Sequence, residues 1–248
     1  MDKDSCVKKC RILAVVGTYG RVCLKLLNLA KSDPLTTLVL DFIANQIVNN
    51  NSNIEKCLPI IVLLGRLLDT LTDLHKTYYH YYNNTISCLA ASLVHPNTDV
   101  QLAVLYIVLL LVKDPTIRPS LLTDYQYQLS QAIIVILSSS SSVPLLCNIL
   151  EMVRVLLIEN SFLQFVVQLR LKGSSLGSAF KSLLQNRKES LQTGTLLCVL
   201  ELLTRSRSIT PAASVLLLEA DIAGNVLKLV SYSISLSTLL TLLLPYLF

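Results

Sequence analysis

Three long apolar segments, each closed by a polar break, dominate the chain. Val100–Val112 ends at Lys113-Asp114-Pro115, Val143–Ile158 ends at Glu159-Asn160, and Leu191–Leu203 ends at Arg205-Ser206-Arg207. The first is apolar almost all the way round a helix, so it must be covered on several sides rather than along one stripe. Set in register at Val100, Val143 and Leu191, the segments lie 43 and 48 residues apart. Periods of this size mark helical-hairpin repeats, in which one hairpin cannot bury its apolar face and neighbours stack to share a core.

Caps divide the remainder into about a dozen helices. Ser32-Asp33-Pro34 supplies a capping side chain and a proline at the first turn, opening a helix to about Val48 that stops at Asn49-Asn50-Asn51. Pro59 opens another through Leu63, Leu64, Leu67, Leu68 and Leu71, and a Tyr-rich helix is expected from Tyr78 to Val94. Tyr125–Leu137 and Gly177–Leu184 have the length and pattern of partner helices. With 7 Gly and 8 Pro, the chain cannot supply the frequent tight turns of a sandwich or barrel.

The segment HPNTDVQLAVLYIVLLLV, from His95, resembles the polar turn and inner helix of armadillo and HEAT repeats, and NRKESLQTGTLLCVLELL, from Asn186, repeats it. Leu216–Val230 is similar to the armadillo pattern in which a helix ends in an acidic-Ala-x-Ala/Gly turn. The likeness spans residues 34–248. It implies an all-α, right-handed α-solenoid of stacked helical hairpins. A second likeness is to the meiosis inhibitor family of large armadillo-type proteins, which implies a part in assembling the machinery that makes DNA double-strand breaks in meiotic prophase. Partners would then be other break-forming proteins on the chromosome axis.

The net charge of +5 invites a nucleic-acid reading, yet residues 1–31 hold seven bases and two acids and account for all of it. Direct contact with nucleic acid is not expected. Seven cysteines, Cys6, Cys10, Cys23, Cys57, Cys88, Cys147 and Cys198, are widely spaced in apolar periodic segments. That usage points to a reducing compartment. No secretory leader opens the chain, so the sequons at Asn50 and Asn83 are expected to be idle. Leu229–Phe248 has no charge over twenty residues, the pattern of a tail anchor, but its Ser and Thr residues favour a buried repeat helix.

Apparent catalytic motifs lack their partners. Val16–Val22 resembles part of a kinase glycine-rich loop, without the H-R-D and D-F-G motifs that the chemistry requires. Gly173-Ser174-Ser175-Leu176-Gly177 matches the G-x-S-x-G nucleophile elbow, whose base follows the serine in the chain; His75, His80 and His95 all precede it. A two-glycine linker is the better account. Cys6 and Cys10 suit one helical face, but nothing nearby completes a metal set. Lys76, His80 and the tyrosines at 78, 79, 81 and 82 form an aromatic and basic cluster, read as a helix with buried and rim tyrosines rather than as a base-stacking platform.

The expectation is therefore a single domain over 1–248, a stretch of a longer solenoid, that binds other proteins or peptides and is not an enzyme. No cofactor, metal or small molecule is implied. It would be intracellular, and nuclear if the meiotic likeness holds. Tyr78, Tyr82, Gln101, Arg154 and Glu201 are candidate partner contacts because they interrupt apolar helices or are interface residue types. A membrane-associated protein held by residues 229–248 is the alternative.

Overall fold

The structure is a computed structural model that describes residues 33–70, 74–205 and 210–232. Among these residues the chain is all-α, with twelve α-helices, one 3-10 helix and a lone antiparallel bridge between Leu171 and Ser174. The described residues divide into two compact units between Leu121 and Leu122, and each is described by itself.

In the first unit, α1 (Asp33–Asn49) leads through a 3-10 turn (Asn51–Cys57) into α2 (Leu58–Thr70). Helices α3 (Leu74–Tyr81), α4 (Asn83–Ser92) and α5 (Thr98–Lys113) follow. Helix α5 contains the most continuous apolar segment of the sequence and buries Val100, Val104, Leu105, Ile107, Val108, Leu111 and Val112. Each such aliphatic side chain gains about 1.5–3 kcal/mol by leaving water. Its start is set by Asn97, whose side chain accepts from the Asp99 amide at 2.9 Å. At its other end the buried Arg118 donates from Nε to the Val112 carbonyl at 2.7 Å, satisfying an acceptor that the helix cannot pair internally.

The unit boundary falls within α6 (Arg118–Ser139), which kinks at Tyr125 (φ −129°, ψ 17°). The second unit continues with α7 (Val143–Leu156), α8 (Asn160–Gln168), α9 (Leu176–Leu184), α10 (Glu189–Arg205), α11 (Pro211–Glu219) and α12 (Ile222–Tyr232). Between α8 and α9 the chain reverses in two residues. Lys172 (φ 51°) and Gly173 (φ 83°) are both left-handed, and Leu171 and Ser174 exchange backbone hydrogen bonds of 2.9 Å on either side. This is the geometry of a two-residue hairpin turn, for which glycine carries no steric penalty. The α11–α12 break falls at Ala220-Asp221, with Asp221 left-handed (φ 49°), where the acidic-Ala pattern placed it.

Beyond sequential neighbours, most contacts join a helix to the third along the chain, while α9 also packs on α11, the second along. In the first unit α1 meets α4 and α2 meets α5; in the second α7 meets α10, α8 meets α11 and α9 meets α12. Two of these pairs meet closely at their middles. Gly65, the eighth residue of α2, faces Tyr106 and Ile107, the ninth and tenth of α5, while Leu150, the eighth of α7, packs on Gly194, the sixth of α10, and takes a 3.3 Å hydrogen bond from Cys198, the tenth. Between α5 and α7 lies one helix, the kinked α6, as a two-helix hairpin period expects, whereas two helices, α8 and α9, lie between α7 and α10.

Other boundaries also moved. The Tyr-rich segment is not one helix over 78–94. It breaks at Tyr82 (φ −120°, ψ 38°), which stacks on Tyr78 with centroids 5.0 Å apart and donates to Asp41 at 2.8 Å. Those tertiary contacts hold Tyr82 outside helical geometry where aromatic residues have only modest helix propensity. Among the described residues no helix is long and apolar enough to cross a membrane. Cys6, Cys10, Val16–Val22 and residues 233–248 of the apolar tail lie outside the described residues.

Candidate functional site

A groove of about 420 Å³ runs along the α2–α5 pair. Helix α2 lines it with Leu58, Val62 and Arg66, four residues apart and therefore on one face. Helix α5 contributes Asp99, Leu102, Ala103 and Tyr106, again one helical stripe. Val62 and Tyr106 are each 39% exposed, so the floor is apolar and open to solvent. Gly65 lies against Tyr106 and Ile107, which sets Arg66 beside Tyr106 and leaves Asp99 at the Leu58 end. Burial pushes the Tyr106 hydroxyl's pKa up, and so does its hydrogen bond to Asp69; Arg66 opposes both. Arg66 itself makes no ion pair among the described residues.

Gln101 projects near this stripe, but its amide is engaged. Nε2 donates to the Leu93 carbonyl at 3.1 Å and closes the end of α4. Gln192 does the same in the second unit, reaching the Leu184 carbonyl at 3.3 Å and that of Asn186 at 2.7 Å. Both are the fourth residue of their helix, and each reaches back eight residues. Gln101 thus interrupts the apolar pattern for a structural reason.

The two tyrosines chosen from sequence come together in the Tyr78–Tyr82 stack. Tyr78 is fully buried, so it offers no partner-facing surface, and burial drives its hydroxyl pKa far up. Tyr82 is half-buried; its pKa is also raised, first by burial and then by its bond to Asp41. Tyr81 is the exposed member of the cluster at 80%. The histidines hold local structure. Buried His75 has Nε2 2.7 Å from the Leu68 carbonyl and Nδ1 3.6 Å from Asp114, while His95 Nδ1 accepts from the Asn97 amide at 3.1 Å.

Arg154 and Glu201 also come together, near the α7–α10 seam. Arg154 pairs with Glu151 at 3.0 Å, and Arg154, Glu151 and Glu201 all act electrostatically on the buried Cys198. The three are half-buried and form a small charged rim over that seam.

Ser175, the would-be nucleophile, caps α9. It is buried, its oxygen accepts from the Ser178 amide at 3.1 Å, and its hydroxyl donates to Glu219. Glu219 in turn pairs with Arg170 at 3.2 Å, and Arg170 Nη1 donates to the Val167 carbonyl at 2.7 Å. These bonds tie the ends of α8 and α11 to the start of α9. Beside them a second cavity of about 660 Å³ is lined by Gln164, Gln168, Arg170, Thr210 and Val215 among others. No group of three or more His, Cys, Asp or Glu residues among those described is placed to hold a metal.

Sequence reasoning missed Arg66, Tyr106 and Asp99. Tyr106 reads as one more large residue in an apolar helix, and Arg66 as an ordinary break in a leucine stripe. Their pairing depends on which face of α2 meets α5, a non-local fact.

A family model described as the meiosis inhibitor protein 1 N-terminal domain matches residues 13–234. The chain is also similar to Meiosis inhibitor protein 1 of Mus musculus, with 24% identity over 205 residues that cover 77% of this chain and 16% of that protein. It thus spans less than a fifth of that relative's length. No solved structure matches. The chain belongs to the meiosis inhibitor protein 1 N-terminal domain family.

Proposed function

We propose, from the premise of membership in this family, that the chain is a non-enzymatic protein-interaction domain that works in meiosis. Each unit is read as a segment of a right-handed armadillo-like solenoid, with α2–α5 and α7–α10 as its inner layers. The observation that carries this reading is the close packing of α2 on α5 and of α7 on α10, in each case the third helix along. A three-helix repeat has that spacing, and stacked repeats leave a long surface along their inner helices. The name of the mouse relative, a meiosis inhibitor protein, supports the meiotic setting. Support of double-strand break formation and chromosome pairing, in the nucleus, is what the resemblance noted from sequence implies.

The test is a germ-line replacement of the gene by one lacking residues 58–113, scored for break-repair foci and homologue pairing in meiotic prophase. Fewer foci and failed pairing are expected. Normal foci and normal pairing in cells that carry only the shortened protein would overturn the meiotic reading. Ser175→Ala is expected to leave both measures intact once protein levels are matched, and a loss there would revive catalysis.

A further inference from the structure

The α2–α5 groove has a charge at each end and an apolar floor, which narrows the chemistry of what fits it. The Arg66 guanidinium stands at one end without an ion pair among the described residues, with the Tyr106 hydroxyl and Asp69 nearby. Asp99 stands at the other, with no partner for its side chain among the described residues. Between them lie Val62, Leu102 and Ala103. Arg66 and Asp99 terminate stripes of seven to eight residues, so their backbones are separated along the helix axis by about 11 Å, or two helical turns. The groove is too small to swallow a helix but suits a ridge of side chains from a helix laid along it, the way one helix's ridge fills the furrow of another.

We propose that this groove docks an amphipathic helix of a partner protein. That helix carries an acidic side chain against Arg66, a basic side chain seven residues away against Asp99, and one or two aliphatic side chains between them on the same face. The proposal rests on the interaction-domain reading given above and names the class of partner. The aliphatic contacts provide affinity by covering Val62 and Tyr106, which are exposed in the unbound chain. The two charges fix direction, because a helix laid in reverse sets like against like.

The test is a display selection of random 18-residue helices against the whole chain, counter-selected against Ala103→Glu, which places a carboxylate on the groove floor. Helices with an acid and a base seven apart and aliphatic residues between are expected to be enriched. Arg66→Glu and Asp99→Lys are each expected to weaken the selected helix about threefold to tenfold. The double variant should prefer the helix with its two charges exchanged. Circular dichroism and thermal melting confirm that these exposed substitutions keep the fold.

Selected helices without the charge pair, binding unmoved by both charge variants, or enrichment of extended peptides alone would overturn the proposal. Self-association abolished by Ala103→Glu would give the groove to a second copy and also overturn it. If Arg66→Glu abolishes break formation in germ cells while no such helix is selected, the partner class is wrong and the interaction domain stands. A selected helix together with normal breaks on deletion of residues 58–113 would instead sink the meiotic reading alone.

Discussion

The Cys198 thiol donates to the Leu150 carbonyl at 3.3 Å, in the seam where α10 crosses α7. Helical carbonyls already accept from the backbone, so this second bond adds little energy but leaves no polar atom unpaired in the seam. Burial pushes the thiol pKa far above its usual 9.0, and Cys57 and Cys88 shift upward for the same reason. A raised thiol pKa means that the folded chain holds the neutral form. The associated stability is complete below pH 9 and is lost as pH rises beyond it. Urea midpoints are expected to hold from pH 7 to about 8.5 and to fall by pH 10, with a smaller fall in Cys198→Ala. Native-state alkylation followed by mass spectrometry should leave Cys198 unlabelled.

Removing the helix-end amides tests their structural role. Gln101→Ala forfeits one bond to a helix end and Gln192→Ala forfeits two. Each bond contributes about 0.5–1.5 kcal/mol, so Gln192→Ala is expected to lower the urea midpoint more than Gln101→Ala. Equal losses would show that one of the two Gln192 bonds carries no weight.

Ser175→Ala removes a helix cap and the hydroxyl that Glu219 accepts from. The expected cost is about 1–2 kcal/mol in equilibrium unfolding. Ser175→Thr keeps the capping oxygen and should recover part of it.

Acid is expected to act through Asp114. Its burial works against the charge, but the Thr116 hydroxyl and amide, at 2.7 and 2.9 Å, outweigh that together with nearby His75 and the Ile117 amide. The pKa is therefore held below 3.8. Stability from this group is present above that value and is lost as pH falls through it. Asp114→Asn should flatten the decline between pH 4 and about 2 seen in circular dichroism.

Lys172 occupies a left-handed position that asparagine tolerates better, in a two-residue turn that favours Asn-Gly. Lys172→Asn is expected to raise the melting temperature slightly, by a free energy on the order of 0.5 kcal/mol. No change or a decrease would mean that the turn is not closed as described.

Much of this fold was legible in the residues. Helix α5 was readable because its apolar run is nearly unbroken and Asn97 announces its start; the structure places the helix at Thr98–Lys113, around the expected core of Val100–Val112. The Val143 and Leu191 segments were likewise found as helices. The Tyr82 break was not readable, since aromatic periodicity runs through it and the deciding contacts are with Tyr78 and the distant Asp41. The 3-10 turn over Asn51–Cys57 was hidden because polar residues there obey no period. Third-helix packing escaped for a different reason. Periodicity shows which face of a helix is apolar, but not which of several apolar faces it will meet. The same limit explains the contact residues: Arg154 and Glu201 were found as charges in apolar helices, whereas Arg66 and Asp99 gain their meaning only when α2 lies beside α5.

Gly65 contributes nothing to the wall of the groove, yet it decides where that wall stands. A methyl group at this position would meet the Tyr106 ring at 2.8 Å, so the ring rests where it does only because the facing residue stops at its Cα. In the α7–α10 pair the glycine stands on the other helix, where Gly194 of α10 receives the Leu150 side chain of α7. Each seam thus places its large side chain where the facing helix omits one. A one-base change that turns Gly65 into alanine or serine would displace the tyrosine and reshape the opening while every residue that lines it stays the same.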